Sequence, residues 1–274
     1  MTGQLNYFSH PEFDRPSIIV SWAVDAAGVG ERVTDYLNRK MENRAFCEID
    51  PSAFFPLEGV AIEEDVIQFP ECRFYAGQRK DVVVLRSRPP RFDWYAFLNL
   101  VLDAADDFHA REVYAIGGMV SLAPHTAPRN LLANFNSADM KDNLSGHNLS
   151  TTMNYETPPG QRPTLNSYLL WAARRRNIDA AALWVPIPFY LAAEGDPKAD
   201  LRVLEFFNRR FDLCHDLSDL DEEVRRQNRV ISDARQASAE IDESIRKLEN
   251  GETLSSEESE KLAAEISKSL SRRS

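Results

Sequence analysis

Between Ser17 and Phe211 short apolar runs and amphipathic stretches take turns about six times, and this alternation restricts the chain more than any single motif. Runs such as "SIIVSWA" and "DVVVLRS" are apolar on successive residues, the pattern of strands covered on both faces. By contrast "VGERVTDYLNRKM" gathers Val29, Val33, Tyr36 and Leu37 on one side of a helix. The expected fold is therefore α/β and three-layered, with an open, mainly parallel sheet between helices. Further strands are expected at "RAFCEID", "EVYAI", "NLLANF" and "AALWV", the last ended by Pro186, and helices at 92–108, 165–176 and 198–211. Residues 51–70 read as an irregular, proline-punctuated section.

No aromatic residue follows Phe211, and from Leu217 apolar and small residues step by three and four. Leu220, Val224, Ile231, Ile241, Ile245 and Leu248 form this seam, a candidate surface for oligomerisation. Gln227, Ala234 and Ser238 weaken its middle, which favours a helix laid on its own domain or on a neighbouring subunit over a free-standing coiled coil. Asn250-Gly251 supplies a stop and Ser255 with Glu258 a capping-box start, so the chain should end as a helical hairpin. The expected organisation is an α/β domain over 1–216 and an amphipathic appendage over 217–274, carrying −7 and −4 of formal charge.

A net charge of −11 argues against nucleic acid and anionic membrane as partners, since both demand a basic face. No apolar run approaches the ~20 residues that cross a bilayer, and "MTGQLNYFSHPEFDRPS" lacks the layout of a signal peptide, so a cytoplasmic protein is expected. Cys47, Cys72 and Cys214 lie far apart, as reduced cysteines do. No metal and no cofactor are expected. Gly28-Val-Gly30 departs from a dinucleotide fingerprint at Val33, and Asp25 would set negative charge beside the phosphates. No Gly-x-Ser-x-Gly elbow or His-x-x-x-His pair occurs, and Asp103, Asp106 and Asp107 read as a solvated helix face.

One stretch, "VYAIGGMVSLAPHTAPRNLLANFNS", combines several chemically capable groups. Gly117 and Gly118 should turn the chain at the end of a strand, where open parallel sheets bind ligands. After them His125, Thr126 and Arg129 offer an imidazole, a hydroxyl and a guanidinium in a loop stiffened by Pro124 and Pro128. These five residues make a candidate ligand loop or a structural loop; the same glycines and prolines suit either.

The same stretch resembles the centre of the proteasome assembly chaperone family, in the second-chaperone-like branch and its actinobacterial-type version. "GQRPTLNSYLLWAARRRNIDAAALWVPIPFYLA" and "GDPKADLRVLEFFNRRFDL" resemble its later segments in order, and the likeness covers about Ser17 to Leu248. The resemblance implies a three-layer fold akin to phosphorylases and nucleoside hydrolases. It also implies a non-catalytic assembly or chaperone-like role, with the chain itself (dimer or trimer) and proteasome-like subunits as partners. The alternative is a small-molecule binding protein or hydrolase, taking a nucleoside-like or anionic ligand at residues 117–129. Members that dock on proteasomes often end in a hydrophobic residue, Tyr and one more, whereas this chain ends "SLSRRS".

Overall fold

The chain opens with β1 (Leu5–Tyr7), β2 (Ser17–Trp22), α1 (Val29–Lys40) and β3 (Arg44–Ile49). A small hairpin, β4 (Ala61–Glu63) and β5 (Val66–Gln68), precedes β6 (Cys72–Ala76) and β7 (Val82–Ser87). Then come α2 (Trp94–Asp107), β8 (Glu112–Ser121), β9 (Leu132–Phe135), α3 (Ala138–Asn143), α4 (Leu165–Arg175), β10 (Asp179–Pro188) and α5 (Pro197–Phe211). Three helices follow: α6 (Ser218–Ala237), α7 (Ala239–Glu249) and α8 (Ser256–Ser271). This computed structural model describes residues 4–56, 61–63, 65–79, 81–151 and 156–272, so the final Arg273 and Ser274 of the tail lie outside them.

The main sheet has the order β1-β3-β6-β7-β2-β8-β10-β9. Its centre, β7-β2-β8-β10, is parallel, and antiparallel pairs flank it on both sides. Alternation along the central strands divides the core in two. Ile19, Val82, Val84, Tyr114, Ile116, Leu183 and Val185 face one helix layer; Ile18, Val20, Val83, Leu85, Val113, Ala115 and Ala182 face the other. The second layer is α2 and α4. The first contains α1 and α5, and Ile231, Ile241, Ile245, Leu248, Leu262 and Ile266 of α6–α8 belong to the same apolar cluster. The fold is thus the three-layer α/β arrangement with a C-terminal helical hairpin.

Four details depart from the sequence reading. Gly117 and Gly118 do not turn the chain: β8 runs through them to Ser121, paired residue for residue with β10. Pro186 does not end a strand either, because β10 continues to Pro188. Pairing with β9 stops at Trp184, while the ladder to β8 continues to Pro188. The donors missing at Pro186 and Pro188 therefore face the side that β9 has already left. The section from 51 to 70 includes the β4–β5 hairpin, and β1 and β6 add antiparallel strands. Finally, the heptad stepping is interrupted at Ser238, which is extended (φ −140°, ψ 115°) and caps α7 by accepting from the Ile241 N–H. Asn250-Gly251, with Gly251 at φ +76°, and the Ser255/Glu258 capping box lie where the sequence places them.

Candidate functional site

Gly117 and Gly118 admit a neighbour rather than a bend. β2 pairs with β8 only as far as Ser21 and Ile116; beyond that, the turn through Ala26–Gly28 takes its place beside β8. A Cβ on Gly118 would overlap the Ala26 carbonyl oxygen and sit 3.1 Å from its carbon, and one on Gly117 would meet Trp184 at 3.1 Å. The missing side chains let two backbones touch.

Asp25 fastens this junction. Its Oδ2 accepts from the Gly118 N–H at 2.6 Å and from the Gly30 N–H at 3.1 Å, so it occupies the N-terminus of α1 where a dinucleotide phosphate would lie. Burial pushes its carboxyl up to about 6 against the lowering effect of both bonds. Arg32, one helical turn on from Gly28, donates to the Ala27 carbonyl and forks onto Asp200 at 2.6 and 3.0 Å. Desolvation nevertheless holds Asp200 at about 7.

The loop from Pro124 to Arg129 is tied down at every polar group that the sequence singled out. The His125 N–H donates to the Tyr190 hydroxyl at 2.6 Å, and the ring Nδ1 lies 2.9 Å from the same oxygen. That hydroxyl has one proton left to give, so the Nδ1 of a neutral ring accepts it. Burial, then the charge of Arg235, lowers the imidazole to about 4. Arg129 is buried and donates to the buried Asp196 at 2.7 Å and to the Ala127 carbonyl at 2.8 Å. Lys198 places its ammonium on the carbonyls of His125, Thr126 and Ala127, at 3.2, 3.3 and 2.9 Å. Thr126 donates to Glu249 of α7 at 3.2 Å. Asp196 also caps α5, with Pro197 in the first helical position.

His125 and Arg129 therefore belong to one polar framework with Tyr190, Asp196 and Lys198, and Gly118 to a separate one around Asp25; the sequence pattern marks none of these four as partners. Beside the loop a cleft of about 700 Å³ opens between Thr126, Lys198, Asn228, Ser232, Arg235 and Arg246. A second, of about 690 Å³, lies past the ends of β2 and β7, where Arg86 is held by Glu31 and Asp35 at 3.3 and 2.5 Å. Among the described residues no His, Cys, Asp and Glu group is spaced to hold a metal ion, and no helix is long and apolar enough to cross a membrane.

The seam residues lie inside the chain. Ile231 and Ile245 are fully buried, Leu220, Ile241 and Leu248 nearly so, and Val224 is half-buried. Their apolar surface is consumed within the same chain: α6 packs on α5, and α7 packs on α6 and α8.

A three-layer sheet whose β8 end is packed against the chain's own Asp25 and the Ala26–Gly28 turn is the class that the geometry defines. The chain belongs to the PAC2 family, whose model matches residues 19–235 and so includes most of α6. No functionally curated protein matches the sequence. Among solved structures, a Corynebacterium glutamicum protein of unknown function is 19% identical, with a TM-score of 0.77 over 91% of this chain and 96% of that one. A Mycobacterium tuberculosis proteasome-assembly chaperone homologue is 20% identical, with a TM-score of 0.68 over 79% of this chain and 94% of that one. An archaeal proteasome activator of Pyrococcus furiosus is 20% identical, with a TM-score of 0.69 over 86% of this chain and all of that one, 100%. At these identities the likeness is one of fold.

Proposed function

We propose that this protein is a non-catalytic, chaperone-like assembly factor of the cytoplasm, homo-oligomeric, which binds proteasome-like subunits. The observation that carries the reading is the internal use of the loop: His125 is neutral and spent on Tyr190, Arg129 on Asp196, and Lys198 on three carbonyls. Groups committed in this way hold a surface in shape and are not free to move protons. Membership of the PAC2 family and the two proteasome-related fold neighbours support the choice of partner. The test is capture of the tagged protein from its own cytosol at native abundance, with mass spectrometry of whatever is retained stoichiometrically. Proteasome α-type subunits should be recovered; a clean preparation free of them refutes the partner.

A second reading takes the cleft beside His125 as an anion site, on the strength of Arg235 and Arg246 along its wall, which share Asp242 as an ion-pair partner. Thermal stabilisation by inorganic phosphate or a nucleoside monophosphate, abolished in Arg246→Ala, would favour it; no stabilisation rules it out.

A further inference from the structure

The neighbouring strands β2 and β7 send the chain to opposite faces of the sheet. β2 leads into α1, which packs on one face, and β7 leads into α2, which packs on the other. Open α/β sheets take small ligands in the crevice that such a divergence opens past the carboxyl ends of the strands. The cleft of about 690 Å³ lies at this point.

Strand register builds its floor. Ser21, Arg86, Arg73 and Glu48 are directly opposite one another on β2, β7, β6 and β3. They therefore share a face, in a polar row about 14 Å long at the usual strand spacing. Arg73 and Glu48 pair with each other at 3.3 Å. Around Arg86 the charge is uneven: Glu31 and Asp35 of α1 and Glu71, just before β6, approach it at 3.3, 2.5 and 3.8 Å. Three carboxylates thus share one guanidinium. Burial raises the Glu71 carboxyl above its ordinary value, and Asp35 and Glu31 push the same way against Arg86 and Arg73.

Two further features line the same cleft. Arg88 is exposed and forms no ion pair among the described residues. Ile67 and Phe69, 58% and 64% exposed, supply an apolar side. A simple anion would meet the carboxylates around Arg86, and a simple cation would leave Arg88 unmatched. A molecule with both charges and an apolar substituent matches all three features.

We propose that this cleft binds a small zwitterion with an apolar side chain, an α-amino acid or dipeptide. Its ammonium faces Glu31 and Glu71, its carboxylate meets Arg88, and its side chain packs against Ile67 and Phe69. Such binding goes beyond the assembly role and is independent of which subunits the protein handles.

Isothermal titration calorimetry on the full chain tests this, with L-phenylalanine and the dipeptide phenylalanyl-leucine as probes. At least one of them should bind at one molecule per chain. Arg88→Ala and Phe69→Ala, both at exposed positions, should each weaken that binding about tenfold or more, the loss expected for a charge-assisted contact or a packed ring. Arg91→Ala, exposed but outside the cleft, should leave it unchanged. N-acetylphenylalanine, which lacks the ammonium, and phenethylamine, which lacks the carboxylate, should both bind about tenfold more weakly or less. An analogue that binds as tightly as the parent overturns the zwitterion. Binding that survives both cleft substitutions overturns the site, and no binding of either probe overturns the proposal as a whole.

Discussion

Substituting Gly118 with alanine tests the junction between β8 and the Ala26–Gly28 turn. The new methyl would overlap the Ala26 carbonyl oxygen and lie 3.2 Å from Ile187 Cγ1, so a buried backbone must retreat by roughly 1 Å, and overpacking of that kind costs about 1–3 kcal/mol. The retreat also stretches the 2.6 Å bond from Gly118 N–H to the Asp25 carboxylate, whose loss adds about 1.5–3 kcal/mol. Together they predict about 2.5–6 kcal/mol, a fall in Tm of roughly 10 °C or more for a chain of this size. Gly117→Ala should cost about 1 kcal/mol, because its 3.1 Å neighbour is the Trp184 ring, which can shift. Gly146→Ala, with nothing within 4 Å, should stay within about 0.5 kcal/mol of wild type. Urea unfolding followed by circular dichroism measures all three. If Gly118→Ala matches Gly146→Ala, the close approach does not hold the sheet end together and the reasoning fails. Combined with Asp25→Ala, its cost should be less than additive, since both remove one bond.

Two titrations should oppose one another. Asp25, raised from 3.8 to about 6, is favoured protonated in the fold, so its contribution to stability falls as pH rises through that window. Asp25→Asn should gain on wild type between pH 4 and 6 and then level off. His125, lowered from 6.5 to about 4, costs stability as pH falls through its range, so His125→Gln should gain on wild type toward acid; parallel curves refute the neutral ring. Arg129→Met strands the buried Asp196 carboxylate and should cost about 3–5 kcal/mol, against about 0.5 or less for the exposed Arg225→Met; chemical denaturation separates them. Ile245→Ala, in the shared cluster, should cost about 2–5 kcal/mol within a single unfolding transition, and a separate early transition would mean that α7 folds apart from the body.

The central strands and their helices were legible because burial on two faces leaves a continuous apolar run and burial on one leaves a stripe. β6 was legible in principle: Cys72, Phe74 and Ala76 are buried and alternate with Arg73 and Tyr75, but five residues are too few to stand out beside a proline-rich section. β1 is three residues at an edge, held by pairing with β3. The double glycine misleads because the same residue serves a turn and a close approach, and the occupant, Ala26, is some 90 positions away in the chain. For the same reason His125 could be suspected while Tyr190, Asp196 and Lys198 could not: a loop's sequence shows its groups but not what a distant helix end will do with them. The seam at 220–248 showed which side of the helices is apolar. Periodicity carries no information on whose surface covers that side.

The prolines near the end of β10 have a further consequence for how the molecule meets its surroundings. Past Trp184, the outer margin of β10 presents carbonyl oxygens without the N–H groups of residues 186 and 188. A strand laid there would lack two of its ladder bonds, which disfavours lengthening the sheet from that margin. For a protein proposed to handle incompletely assembled subunits, whose own unpaired edges are exposed, such a margin is a guard against capture by its cargo.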